Sequence, residues 1–168
     1  LRTFDVLPRV GADFERHFGR PGLAFFDEVG WPEGGWADIA VVSMGPDFGT
    51  FESLRTRYQS AHGLKVAGLA MRLLTPFPRE AVRERLARAS VVLVVNQAHH
   101  WGRGHLTLDV ADALSDLDAP PRVVGAFAGL GGADVSEATW EAMLDEARAV
   151  AGGRAVGAPR VYHEGAAL

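Results

Sequence analysis

Residues 90–96 read SVVLVVN, an unbroken apolar run rich in β-branched residues that stops at a polar Asn-Gln pair. A run of this length without alternation predicts a strand buried on both faces, as in the interior of a parallel sheet. The residues before it carry a different rhythm. Val82, Leu86 and Ala89 fall on one face of a helix, with arginines and glutamates on the other. That helix is preceded by LKVAGLAMRLL (64–74), a second strand, which runs into TPFP. Pro78 suits the first helical position, where its missing N–H costs nothing. Further back, DIAVVS (38–43) is another short buried strand. It enters MGPDFGT, after which Phe51, Leu54, Tyr58 and Ala61 keep helical spacing and Gly63 ends the helix as a left-handed cap.

The same alternation continues towards the C-terminus. QAHHWGRGH is a loop, and Leu106, Val110, Leu114 and Leu117 form the next apolar stripe. PRVVGAFA (121–128) is a fourth strand and GLGGADVS a fourth loop. Trp140, Met143, Leu144, Ala147 and Val150 line the last helix, capped by Asp134 or Ser136, with Glu137 in capping-box spacing from Asp134. Strands alternating with helices predict an α/β fold. It is a mostly parallel open sheet with helices on both faces, a three-layer sandwich.

The flanks are less regular. Residues 1–37 read as an N-terminal arm or linker, with a short helix near 12–18 and Pro/Gly turns interleaved with Phe25, Phe26, Trp31 and Trp36. The arm either packs on its own domain or docks on a partner. Residues 38–151 form the domain, and 152–168 a Gly/Ala-rich tail with one possible strand, PRVYH.

Composition narrows the function classes. A net charge of −4 with both signs interspersed gives no basic footprint for nucleic acid. No 18-residue apolar run and no signal peptide are present, so the sequence reads as soluble, cytoplasmic and without a membrane partner. There is no cysteine, which removes a thiol nucleophile and the usual ligands of an iron–sulfur cluster.

Ligands of open α/β sheets bind beyond the carboxyl ends of the strands. Four segments are therefore candidates. SMGPDFGT offers either a structural turn or backbone N–H groups for an anion, without the glycine spacing of a dinucleotide site or a P-loop. HHWGRGH gathers His99, His100 and His105, which fit a contact loop, solvated side chains or a metal site lacking its carboxylate. GLGG supplies tight turns. No serine lies in a G-x-S-x-G elbow.

Taken in order, GRP…ADIAVVSMGPDFGT, GLKVAGLAMRLLTPFP, ASVVLVVNQ…GRGHL and GLGGADVSEATWEAM resemble one domain of the 2-oxoacid (pyruvate):ferredoxin/flavodoxin oxidoreductases. This is the transketolase C-terminal-like domain, and the resemblance covers roughly residues 15–150. Pro76, Phe77 and Pro78 match the family's R-P-F-P element, with Thr75 in place of the arginine. Asn96-Gln97 stands where a charged pair commonly ends the third strand, and Ala133 replaces the Arg of G-G-R-D-V-T.

The resemblance implies a non-catalytic or organising subunit or domain of a thiamine diphosphate-dependent 2-oxoacid oxidoreductase. Such a module contributes to subunit assembly and part of an active-site wall. No catalytic, cofactor-binding or metal-binding residue carries over. Thiamine diphosphate, Mg and iron–sulfur clusters are expected only on partner domains or subunits. The partners are other subunits of such a complex, or a second copy in a homodimer. Candidate partner or ligand-edge contacts are Pro76, Phe77, Asn96, Gln97, His99, His100 and Trp101. Two alternatives remain open: a stand-alone binding or scaffolding protein that kept the fold without the enzyme, and a flavodoxin-like binder of a small molecule or nucleotide.

Overall fold

The computed structural model describes residues 2–99 and 101–167. The chain order is α1 (Arg2–Phe18), β1 (Phe26–Val29), β2 (Ala37–Ser43), α2 (Phe48–His62), β3 (Val66–Met71), α3 (Arg79–Leu86), β4 (Ala89–Asn96), α4 (His105–Leu114), β5 (Arg122–Phe127), α5 (Glu137–Ala151), β6 (Arg160–His163) and β7 (Ala166–Ala167). A single sheet carries the order β1-β3-β2-β4-β5-β6-β7. Strands β2 to β6 pair in parallel, while β1 and β7 are antiparallel additions at the two edges.

Pleating explains the uniform apolar runs. Successive side chains of a strand point to opposite faces, and here both faces are covered. Ile39 and Val41 of β2, with Val91, Leu93 and Val95 of β4, pack under α2 and α5. Ala40, Val42, Val92 and Val94 pack under α3 and α4. Each fully buried Val or Leu contributes roughly 1.5–3 kcal/mol, so the central strands are the fold's main anchor.

Several helix ends follow the expected chemistry. Gly63 closes α2 in the left-handed region (φ 65°), and its N–H bonds Gln59 O. Of the two candidate caps for α5 the structure uses Ser136, whose Oγ accepts from Thr139 N at 3.3 Å. Pro78 differs from expectation. It stands one position before α3, at φ −81° and ψ 63°, and Arg79 N bonds Phe77 O at 2.9 Å. This is an inverse γ-turn, which a proline ring permits because its own donor is not needed.

The arm is more structured than its sequence suggests. Its helix spans Arg2–Phe18 rather than 12–18, with Pro8 inside. Pro8 removes one interior donor and hides the period, but Val6, Val10, Phe14 and Phe18 still recur every fourth residue. The segment after it supplies β1, whose Phe26–Val29 pair with Met71–Gly68. Phe26 and Trp31 pack partly buried on the α3/α4 face, and Arg85 lies 5.0 Å from the Trp31 ring centroid. The second strand is shorter than 64–74. Beyond Met71 the backbone turns to bond Phe25 O through Arg72 N and Leu73 N, and the prolines follow. In the tail, the predicted strand forms as β6 and turns back into β7.

Candidate functional site

The inner strands place β3 on one side of β2 and β4 on the other, so the chain reverses direction across the sheet between β2 and β4. A crevice is expected there, because the loops leaving two adjacent strands diverge. Ser43 ends β2 and Asn96 ends β4. Their outgoing loops, with the glycine-rich turn after β5, border a crevice of about 450 Å³ lined by Pro46, Asp47, Thr50, Gln97, Gly129 and Asp134 among others.

Asp47 organises this crevice. It stands before the first turn of α2, yet its side chain does not cap that helix in the usual way. One carboxylate oxygen accepts from Gln97 Nε2 at 2.7 Å and the other from Ser43 Oγ at 3.3 Å. Its own N–H and that of Phe48 also favour the ionised form. Burial outweighs these bonds and holds the carboxyl above its ordinary value of 3.8. The Asp47 carbonyl accepts from Trp140 Nε1 at 3.2 Å, which ties fully buried α5 packing to the start of α2. Gly45, at φ 112°, passes so close that a Cβ there would lie 3.1–3.2 Å from Gln97 and Asp47. In SMGPDFGT the N–H groups of Phe48, Gly49 and Thr50 are taken by the carbonyls of Gly45, Pro46 and Asp47.

The candidate residues separate into three environments. Asn96 is buried and turned into the fold: Nδ2 donates to Thr107 Oγ1 at 2.7 Å and to Ala126 O at 3.2 Å, while Oδ1 accepts from Thr107 N at 3.4 Å. It serves as a remote cap for α4, whose preceding residue, Gly104, has no side chain to do so. Gln97 and His99 are exposed, Gln97 in the crevice and His99 edge-on to Phe127 at 6.0 Å. Trp101 is 89% exposed with φ 52°, in the sparsely populated left-handed region. His100 lies outside the described residues. Pro76 and Phe77 are half-buried on the other side of the sheet, where Phe77 packs against the α3/α4 core.

Two features escape the sequence. An Asp ahead of a helix reads as a cap, so nothing in PDF marks Asp47 as the bridge across the crevice. Trp140 sits on an apolar stripe, and the destination of its indole N–H has no local signal.

A diphosphate would meet the Asp47 carboxylate at the helix N-terminus. No group of three or more His, Cys, Asp or Glu converges on a metal position among the described residues.

An open, doubly wound α/β domain with a self-bridged carboxyl edge is the class that fold and site define. The sequence model of pyruvate:ferredoxin oxidoreductase core domain II matches residues 37–139, and the chain belongs to that family. Among curated proteins it is similar to pyruvate synthase subunit PorA of Pyrococcus abyssi, at 30% identity over 87% of this chain and 35% of that protein. It is also similar to the PorA subunit of Methanosarcina barkeri (27%, over 87% of this chain and 37% of that one). The alpha subunit of NADH-dependent phenylglyoxylate dehydrogenase from Aromatoleum evansii is 23% identical over 90% of this chain and 36% of its own. The chain spans about a third of the length of these relatives. Among solved structures, a 2-oxoglutarate:ferredoxin oxidoreductase from Magnetococcus marinus shares the fold, with TM-score 0.53 and 18% identity over 80% of this chain and 21% of that one.

Proposed function

We propose that the chain is a non-catalytic, organising module of a thiamine diphosphate-dependent 2-oxoacid oxidoreductase, contributing to subunit assembly and one wall beside the reacting centre. Thiamine diphosphate, Mg and the iron–sulfur clusters reside on partner domains or subunits. The observation that carries this reading is the family match across the inner sheet, residues 37–139. The reading assigns 38–151 to the module, 1–37 to its arm and 152–168 to a tail, and places the protein in the cytoplasm. No helix among the described residues is long and apolar enough to cross a membrane.

Surface chemistry supports a contact role at the carboxyl edge. Met44, Leu74 and Trp101 follow three neighbouring strands, β2, β3 and β4, and all three are exposed. Large aromatic and thioether side chains at such an edge are typical interface anchors. Gln97, His99 and Trp101 are the contacts assigned to a partner, and Phe77 with Pro76 a second contact nearer the arm.

Co-expression with the thiamine-binding subunits, followed by affinity purification and light scattering, tests the proposal. The expected result is a stoichiometric complex weakened by Trp101→Ala. Absence of any complex would favour the stand-alone scaffold, a reading consistent with the internally satisfied Asp47.

A further inference from the structure

Among the described residues Asp47 is the one buried side chain that carries a charge. It is 9% exposed and lines the crevice at the carboxyl edge. Its carboxylate bonds only neutral side chains, Gln97 Nε2 at 2.7 Å and Ser43 Oγ at 3.3 Å, and no charged neighbour acts on its ionisation. Buried charges are ordinarily paired, because neutral hydrogen bonds do not repay the lost hydration. Glu146 of the same chain keeps that rule: its side chain is 12% exposed, and it takes both Arg154 and Arg160. Asp47 is hydrogen-bonded but not neutralised.

The crevice around it carries one sign of charge. Its lining adds a second carboxylate, the exposed Asp134, which has no ion pair among the described residues, and it contains no Arg, Lys or His. Each Asp47 oxygen accepts one side-chain donor and keeps room for another. Anions are repelled from such a place, and a divalent ion would find two carboxylates, short of its usual oxygen set. A guanidinium fits better. It stays charged when desolvated, is weakly hydrated, and offers several N–H donors in one plane to carboxylates. The crevice, of about 450 Å³, opens on the edge that also exposes Met44 and Trp101.

We propose that the crevice receives an arginine side chain from a partner polypeptide, with Asp47 as its counter-charge and Asp134 at the rim. This rests on the assembly reading and names the chemistry by which a partner is held at that edge.

Titration of the pure, isotope-labelled chain with N-acetyl-arginine amide, followed by NMR, tests the proposal. The Gln97 side-chain amide and the Trp140 indole N–H report on it, since they bond the Asp47 carboxylate and carbonyl. Both signals should move saturably in the millimolar range, and N-acetyl-lysine amide should bind more weakly. Asp47→Asn should weaken the arginine probe at least about tenfold. Ala133→Arg should weaken it too, by placing a guanidinium of the chain itself on the crevice wall, at a backbone φ of −63° that any residue adopts. The same spectra verify that the variants are folded. No saturable shift up to tens of millimolar, an equal response in Asp47→Asn, or tighter binding of pyrophosphate, Mg or spermidine overturns the proposal. In the co-expressed complex, Asp47→Asn should raise the dissociation constant at least about tenfold, and a complex indifferent to it overturns the arginine seat while leaving the assembly reading intact. A chain that binds the probe yet forms no complex places the failure in the assembly reading instead.

Discussion

Gln97 Nε2 lies 2.7 Å from Asp47 Oδ1, so the residue leaving β4 is bonded to the residue that opens α2. The bond spans the place where the chain reverses across the sheet. It joins two loops that the backbone ladder leaves independent, and it does so with a carboxyl whose pKa burial has raised.

That shift sets a pH dependence. A carboxyl with a raised folded pKa binds its proton more tightly in the native state, so the stability it adds is present at low pH and lost as pH rises through the folded value. The window opens near the ordinary value of 3.8 and extends upward. Asp47→Asn keeps an acceptor for Gln97 and carries no charge. Relative to wild type, the variant should gain stability progressively as pH is raised from 4 towards neutrality. Urea midpoints of the two proteins across that range measure it, and a constant difference would remove desolvation as the cause.

Asn96 and Gly104 should be coupled. A Cβ on Gly104 would fall 2.1 Å from the Asn96 amide, at a backbone φ of −87° that any residue adopts. Gly104→Ala should therefore cost about 1–3 kcal/mol by crowding alone. Asn96→Ala should cost about 1–2 kcal/mol through the lost side-chain bonds that cap α4. In the double variant most of the crowding disappears, giving an interaction of at least about 1 kcal/mol in a denaturation cycle.

Much of this architecture is legible in the sequence, for a physical reason. SVVLVVN and DIAVVS are apolar at both parities because helices cover both faces, and few other environments accept such runs. The edges are harder. FDEV pairs along one side only and is half exposed, so it carries neither an apolar run nor a clean alternation. At the crevice, Gln97 was visible as a strand-end residue, but its partner Asp47 lies 50 positions away. Asn96 is also conspicuous in the sequence, yet its amide faces inward because the residue before α4 is Gly104, which has no side chain to cap the helix.

Phe77→Ala should destabilise by about 1.5–3 kcal/mol, below the roughly 3–5 kcal/mol of a fully enclosed phenylalanine. The ring is only half-buried, packing on the α3/α4 core and lining a groove of about 420 Å³ with Phe4 and Phe25. Thermal and urea denaturation give the value. An unchanged midpoint would show that the ring contributes nothing to the isolated fold.

Titration calorimetry of the pure chain with thiamine diphosphate and Mg should register no saturable heat, because the N–H groups that open α2 already bond carbonyls of the preceding turn and the Asp47 carboxylate stands beside them. Asp47→Ser empties that position of charge while keeping a hydroxyl. If wild type binds the cofactor stoichiometrically, the placement of the cofactor on partner domains fails.

The residues matched by the family model, 37–139, contain β2, β3, β4 and β5. The strands bordering that group come from outside it: β1 seals the free side of β3, and β6 with β7 seals β5. A polypeptide trimmed to the recognisable stretch would thus keep the centre of the sheet and lose both of its guards. Two rows of unsatisfied amides and carbonyls would then face solvent, each a template for recruiting another chain. In the intact chain the sheet instead ends on short strands, the four-residue β1 with Asp27 and Glu28 and the two-residue β7, and both come from outside the recognisable stretch.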